Sequence, residues 1–195
     1  MIALIIFIVS FYSDHTYMDI RFVSRNSFKN AEVQQLLAGS GINIIFYRET
    51  INELQTENVE ELVYDKALKA FKLIGKPLIV EHTSLFIDEM NDLPGGLTQI
   101  FWDRLKADRF CALFGHSKAT IKTVIAYCDG MTIKYFDGSI EGSISAEPRG
   151  SRDFNWDCIF IPAGKQETFA EMKDKKNEIS MRKNAFEKLI QHLVA

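Results

Sequence analysis

The chain has 195 residues, of which 47% are hydrophobic and 25% are charged, and its formal net charge is −3. This composition is that of a globular domain with a sizeable core, and the absence of a Lys- or Arg-rich block excludes nucleic acid as an expected partner. The three cysteines, Cys111, Cys128 and Cys158, have neither metal-site nor disulfide spacing, which favours a reducing, cytoplasmic location.

Residues 1–17 begin with the apolar run MIALIIFIVSFY, which is shorter than the roughly 20 residues that a membrane-spanning helix needs. The run also lacks the basic start and the small-residue cleavage site of a secretory signal. We therefore predict that it is an upstream extension outside the fold, that Met18 is the natural start, and that residues 18–195 form one domain. A weak anchor at a membrane surface is the alternative, and no stable membrane insertion is expected.

Apolar runs alternate with helical stripes along the rest of the chain, which predicts an α/β domain with a mixed sheet. The predicted strands are 20–23, 42–47, 77–80, 119–128, 131–145 and 159–161. The predicted helices are 28–38, 58–74, 97–114 and 180–194.

Three local features refine this prediction. The polar residues 81–84 directly follow an apolar strand, so we expect that strand to end there and its end to form part of a site, with a β-hairpin that has a polar tip as the alternative. The third helix is expected to break near Asp108. Gly138 and Gly142 are expected to mark bulges or bends in a long strand.

Polar clusters in the predicted loops indicate where chemistry could take place. Ser24, Asn26 and Lys29 stand at a strand-to-helix turn, which suits an anion cradle, with ordinary helix capping as the alternative. Carboxylates at strand ends beside such a cradle are typical of Mg²⁺ sites, with solvated surface charge as the alternative. The carboxylates are Glu53, Glu81, Asp88, Asp92 and Asp157.

The segment 147–157, which we call the aromatic loop, sets Phe154 and Trp156 among polar residues, an arrangement suited to stacking on a nucleotide base. Lys176 and Arg182 lie around the predicted start of the last helix, where positive charge opposes the helix dipole and an anionic ligand would offset it. The anion cradle, the carboxylates, the aromatic loop and this second basic segment together favour a nucleotide polyphosphate as the ligand.

Several short motifs follow one another in a fixed order. They are Ser24-Arg25-Asn26-Ser27-Phe28-Lys29, Glu53-Leu54-Gln55, Glu81-His82-Thr83-Ser84-Leu85, Leu93-Pro94-Gly95, Pro148-Arg149-Gly150, Asp153-Phe154-Asn155-Trp156-Asp157, Thr168-Phe169-Ala170-Glu171-Met172 and Lys176-Asn177-Glu178-Ile179-Ser180-Met181-Arg182. In content and order they resemble the motifs of the inosine triphosphate pyrophosphatase family. The resemblance runs from about residue 20 to residue 193.

The resemblance implies a curved mixed β-sheet with flanking helices, two lobes around a central cleft, and a homodimer. It also implies Mg²⁺-dependent hydrolysis of the purine nucleoside triphosphates ITP, dITP and XTP to monophosphate and pyrophosphate, which cleanses the nucleotide pool. The implied catalytic residues are Lys29, Glu53 and His82. The implied metal ligands are Glu53, Glu81 and His82. The implied substrate-binding residues are Ser24, Asn26, Lys29, Lys66, Thr83, Ser84, Phe154, Trp156, Asp157, Lys176, Ser180, Met181 and Arg182.

The chain departs from the family pattern at several of these positions. His82 stands where members have an aspartate; imidazole is a poor Mg²⁺ ligand, but it suits Mn²⁺ or Zn²⁺ and can act as a base. Met181 replaces a histidine that helps to recognise the 6-keto group, so discrimination of hypoxanthine from adenine should weaken. Gln99 falls where members often have a lysine. Glycine is usual at the positions of Arg25, Ser84 and Asn155.

Two interpretations therefore stay open. In the first, the chain is a working nucleoside triphosphate pyrophosphatase with a shifted base or metal preference. In the second, it is a divergent homologue with impaired hydrolysis that binds a nucleotide or a protein partner. The retained lysines, Glu53 and the aromatic loop favour the first.

Overall fold

The structure is a computed structural model that describes residues 18–194, so the predicted extension over 1–17 lies outside the described residues. The strands are β1 (Met18–Val23), β2 (Ile42–Tyr47), β3 (Leu78–Ile87), β4 (Pro94–Gly95), β5 (Lys118–Cys128), β6 (Ile133–Ile144) and β7 (Phe160–Pro162). The helices are α1 (Ser27–Leu36), α2 (Val59–Ile74), α3 (Thr98–Phe114), α4 (Phe169–Met172) and α5 (Met181–Val194).

The described strands form one mixed sheet in the order β2-β1-β3-β5-β6-β7, with the short β4 paired to β3. Strand β1 is parallel to both β2 and β3, and the remaining pairs are antiparallel. The predicted α/β fold with a mixed sheet is confirmed. No helix within residues 18–194 is long and apolar enough to cross a membrane.

Helix α2 shows how local sequence sets an element. The Asn58 side chain accepts hydrogen bonds from the amides of Glu60 and Glu61 at 3.0 and 3.2 Å, which caps the first turn. Gly75 ends the helix in the left-handed conformation, with φ 64°. One face is buried against the sheet, and its residues are Val59, Leu62, Val63, Ala67 and Ala70.

The prediction that a strand ends before residue 81 is wrong. All ten residues of β3 pair with β5, from Leu78 opposite Cys128 to Ile87 opposite Ala119. The polar segment is retained in the sheet because its side chains find partners there; the hydroxyl oxygens of Thr83 and Thr123, for example, lie 2.8 Å apart across the two strands. The polar residues therefore occupy the middle of a buried strand.

The expected bulges at Gly138 and Gly142 are also absent from the described sheet, because the β5–β6 register is continuous from Lys118 opposite Ser143 to Cys128 opposite Ile133. Glycine is required there for close approach instead. A Cβ atom at Gly138 would clash with the carbonyl oxygen of Met181 at the start of α5, and one at Gly142 would clash with β7.

The hydrophobic core has three parts. Two of them lie on opposite faces of β1, β3 and β5, one beneath α2 and the other beneath α1 and α5. The third surrounds α3, α4 and β7, and it contains Phe110, Trp156 and Phe160. The first two parts form the core of one lobe and the third forms the core of the other, and both lobes share the long strands β3 and β5.

Helix α3 leaves helical geometry at Lys106, with φ 55°, two residues before the predicted break at Asp108.

Candidate functional site

A cavity of about 780 Å³ lies between the two lobes, and we call it the main cavity. One wall is formed by the β1–α1 turn, the segment before α2 and the middle of β3, and the other by α3 and the aromatic loop. The polar residues that line it are Ser24, Arg25, Asn26, Lys29, Glu49, Thr50, Glu53, Lys66, His82, Thr83, Gln99, Asp103 and Asn155.

The β1–α1 turn serves both as a helix cap and as a cavity wall. The Asn26 side chain accepts a hydrogen bond from the Lys29 amide at 3.1 Å, and Ser24 Oγ accepts one from the Asn26 amide at 3.2 Å. The capping alternative is therefore correct for Asn26. The same turn directs the positive end of the α1 dipole and the Lys29 side chain toward the cavity, so it can also hold an anion.

Glu81 is buried between two cations. Its Oε1 lies 2.6 Å from Lys29 Nζ, and its Oε2 accepts a hydrogen bond from Arg182 Nε at 2.8 Å. Burial alone would raise the pKa of the Glu81 carboxyl, but the charges of Arg182 and Lys29 outweigh it and hold that pKa far below its usual range. Because both oxygens are occupied, the expectation that Glu81 binds a metal receives no support from this arrangement.

Glu53 lies between Lys66 and His82 on the cavity wall. Lys66 Nζ donates to Glu53 Oε1 at 2.5 Å, while Nδ1 of His82 lies 3.6 Å from Glu53 Oε2, beyond hydrogen-bonding distance. Burial opposes the charge on Glu53, yet the adjacent His82 and Lys66 lower the pKa of its carboxyl below the usual range. Burial lowers the pKa of His82, and the Glu53 charge opposes this shift.

Charges alternate from Arg182 to the aromatic loop. Arg182 forms an ion pair with Glu32, Glu32 Oε1 lies 2.6 Å from Lys176 Nζ, and Lys176 forms an ion pair with Asp157. Burial raises the pKa of Asp157, and the Lys176 charge opposes this shift. Glu32 is a site residue that was not predicted from the sequence, although its spacing of three from Lys29 places the two side chains on one face of α1.

The two rings of the aromatic loop lie in different surroundings. Phe154 stacks on Phe28 with 5.2 Å between ring centres, and Lys176 Nζ lies 4.2 Å from the centre of the Phe154 ring. A second cavity of about 290 Å³ lies beside this pair and is also lined by Asp157 and Lys176. Trp156, by contrast, is buried edge-on against Trp102 and contributes to the lining of the main cavity. Phe28 is thus an aromatic site residue that the sequence analysis did not identify.

Several expected site residues occupy other surroundings. Ser84 is fully buried and Ser180 caps α5 by accepting from the Lys183 amide, and neither lines the main cavity. Met181 is buried beside a small pocket that it shares with Arg182 and Phe154. Asn155 has φ 43°, a left-handed conformation that asparagine tolerates better than most residues, which accounts for its place at a position usual for glycine.

The five carboxylates do not form one acidic cluster. Asp88 and Asp92 are exposed beyond the end of β3, outside the main cavity, because β3 continues past the polar segment. Within residues 18–194, no group of three or more His, Cys, Asp or Glu side chains is placed to hold a metal ion by itself.

Fold and cavity together define an open-sheet α/β protein with a cleft between two lobes that is lined by paired cations and carboxylates. Comparison with known families is more specific: the Ham1 family model matches residues 20–192. The chain belongs to the Ham1 family.

Curated relatives carry consistent names. Inosine triphosphate pyrophosphatase from Yarrowia lipolytica is 37% identical over 178 residues, which cover 88% of this chain and 94% of that protein. The dITP/XTP pyrophosphatase from Methanopyrus kandleri is 35% identical over 176 residues, which again cover 88% of this chain and 94% of that protein.

Solved structures show the same fold. A Ham1 protein from Coxiella burnetii superposes with a TM-score of 0.73 at 28% identity, covering 91% of this chain and 98% of that one. The dITP/XTP pyrophosphatase from Mycobacterium abscessus gives a TM-score of 0.61 at 25% identity, covering 90% and 100%.

Proposed function

We propose that this chain hydrolyses non-canonical purine nucleoside triphosphates, namely ITP, dITP and XTP, to the monophosphate and pyrophosphate. The observation that carries the proposal is the continuity of the site, in which Lys29 lines the main cavity and also a small pocket with Phe154 and Asp157. A triphosphate in the cavity would therefore adjoin an aromatic ring with polar groups beside it. The names of the curated relatives support the same activity.

The phosphates are held by the β1–α1 turn and two lysines. Ser24 and Asn26 present polar groups at the start of α1, and Lys29 and Lys66 reach the cavity from α1 and α2. Each lysine is paired with a carboxylate in the described structure. A bound triphosphate would act as the counter-ion of both ammonium groups. The two ammonium groups would in turn stabilise the negative charge that develops when water attacks the α-phosphorus.

The base is placed beside Phe154, within reach of Lys176, Asp157 and Arg182. Phe154 supplies a π-face, and the charged groups supply donors and acceptors for the edge of a purine. Thr83 helps to orient Arg182, whose Nη2 donates to its hydroxyl oxygen at 3.2 Å. Met181 adds no polar group, so we infer that adenine is rejected less strongly than in a site with histidine at this position.

The residues fit a divalent cation only when the substrate supplies most of the ligands. Glu53 keeps a partly exposed carboxylate, and Nε2 of His82 is buried without a hydrogen-bond partner among the described residues. One carboxylate and one imidazole are a donor set that Mn²⁺ accepts more readily than Mg²⁺. We propose that Glu53 and His82 hold the cation, which when bound would neutralise phosphate charge.

The setting is also part of the proposal. Cys111, Cys128 and Cys158 are free and buried, which fits a reducing cytoplasm.

We propose a homodimer, supported by the exposed apolar side chains of Leu68, Leu73 and Met131, which a second copy could cover. Light scattering on the purified protein would measure the mass in solution, and a monomeric mass would contradict the dimer.

Turnover on a substrate panel tests the activity. ITP, dITP, XTP, ATP and GTP would each be incubated with Mg²⁺ and then with Mn²⁺, with pyrophosphate and monophosphate as the measured products. Release of pyrophosphate from ITP, dITP or XTP above that from ATP and GTP is expected. Tight nucleotide binding without pyrophosphate from any pair would instead favour the impaired homologue.

A further inference from the structure

The cations of the main cavity differ in how their charges are balanced. Among the described residues, three cationic side chains line the cavity: Arg25, Lys29 and Lys66. Lys29 is paired with Glu81 at 2.6 Å and Lys66 with Glu53 at 2.5 Å. Within residues 18–194, Arg25 is the one cavity-lining cation that forms no ion pair with a carboxylate.

The guanidinium of Arg25 is held by a neutral group. Its Nη1 donates a hydrogen bond to the Thr50 hydroxyl at 2.7 Å, across the cavity mouth between the β1–α1 turn and the segment before α2. The Arg25 side chain is exposed, so it is only partly desolvated. A single hydrogen bond to a neutral hydroxyl is weaker than an ion pair with an anion, so an anion can replace Thr50 as the partner.

Arg25 does not line the small pocket at Phe154. Lys29 lines both the main cavity and the small pocket that contains Phe154, Asp157 and Arg182, whereas Arg25 lines the main cavity alone. A nucleotide whose base adjoins Phe154 would thus extend its phosphates past Lys29 toward Arg25.

We propose that Arg25 binds the terminal phosphates of the substrate, the part released as pyrophosphate, through its planar guanidinium. The proposal rests on the proposed triphosphate pyrophosphatase activity and adds a binding residue to it. Arginine suits this position because its fork presents two parallel N–H groups to a phosphate and its charge persists at all relevant pH values. It also adds positive charge to a cavity whose other wall carries the neutral Gln99, which is bonded to Asp103 at 3.1 Å.

Direct binding of inorganic tripolyphosphate tests this role without catalysis. Calorimetry in EDTA at low ionic strength would compare the wild type with R25Q, R25K and R109Q. Arg109 is exposed on α3 and does not line the main cavity, so R109Q removes the same charge elsewhere. We expect R25Q to weaken tripolyphosphate binding about tenfold relative to R109Q, with R25K between them because it keeps the charge but loses the fork.

The affinity for inosine monophosphate provides the second readout. It should be the same in R25Q and R109Q, because the monophosphate lacks the phosphates that Arg25 contacts. Equal tripolyphosphate affinity in R25Q and R109Q would overturn the proposal, as would an absence of binding by the wild type or an equal loss for the monophosphate. Tripolyphosphate binding that depends on Arg25 in a protein without turnover would contradict the proposed activity while leaving the role of Arg25 intact.

Discussion

His82 and Glu53 face each other on the wall of the main cavity, with 3.6 Å between Nδ1 of the imidazole and Oε2 of the carboxylate. The opposite ring nitrogen, Nε2, is buried without a hydrogen-bond partner among the described residues. An imidazole thus occupies a position from which a carboxylate would offer oxygen to a divalent cation.

The substitution His82→Asp should therefore increase activity with Mg²⁺ relative to Mn²⁺. A second carboxylate beside Glu53 supplies the oxygen donor that Mg²⁺ prefers, and we expect the Mg²⁺/Mn²⁺ ratio of kcat/KM for ITP to rise by about tenfold or more. His82→Asn is the matched control, because it removes the imidazole without adding a carboxylate. An unchanged ratio in His82→Asp would show that His82 does not limit the use of Mg²⁺.

Met181→His should sharpen base selection. The new imidazole would stand beside Arg182 in the small pocket and could donate to a 6-keto oxygen, which adenine lacks. We expect the ratio of kcat/KM for ITP over ATP to rise by about one order of magnitude, the size of one hydrogen bond to a neutral group. Met181→Leu keeps an apolar side chain and serves as the control; a similar rise in that variant would attribute the effect to packing.

Arg182→Met should strongly destabilise the fold. Arg182 is 2% exposed and neutralises both Glu32 and Glu81, so its loss leaves two buried carboxylates without that partner. Removing one member of such a buried network costs about 3–5 kcal/mol. Equilibrium denaturation would measure this loss, with Lys183→Met as a nearby surface control that breaks only the pair with Glu187. A loss no larger than that of the control would mean that the network adds little.

His82 should make stability depend on pH in the weakly acidic range. Burial lowers the pKa of His82 in the folded state below its usual value of about 6.5, so the unfolded chain binds the proton first as pH falls. The free energy of unfolding should therefore decrease as pH drops below about 6.5, since the unfolded state then binds more protons. Urea denaturation from pH 7.5 to 5.5 would show a shallower decline for His82→Asn than for the wild type. Parallel curves would assign the dependence to other groups.

Local chemistry in the sequence was enough for much of the fold. The cap at Asn58, the apolar stripe of α2 and the left-handed Gly75 all act within a few residues, so the helix could be read directly. The hairpin turn after β5 is equally local, since the Asp129 side chain accepts from the Met131 and Thr132 amides at 2.8 and 2.7 Å. Motif order along the chain also identified the family, which the comparisons confirmed.

Partners distant in sequence decided the rest. The polar segment of β3 remains inside the sheet because Arg182, 101 positions further along, neutralises Glu81 there. Glu32 became part of the site through Lys176 and Arg182, on elements that no local pattern connects to α1. The composition gives the number of cationic residues but does not show which carboxylate each of them contacts. Only the folded chain shows that two lysines of the cavity face carboxylates while Arg25 faces a hydroxyl, because ion pairing depends on distances that the tertiary structure sets.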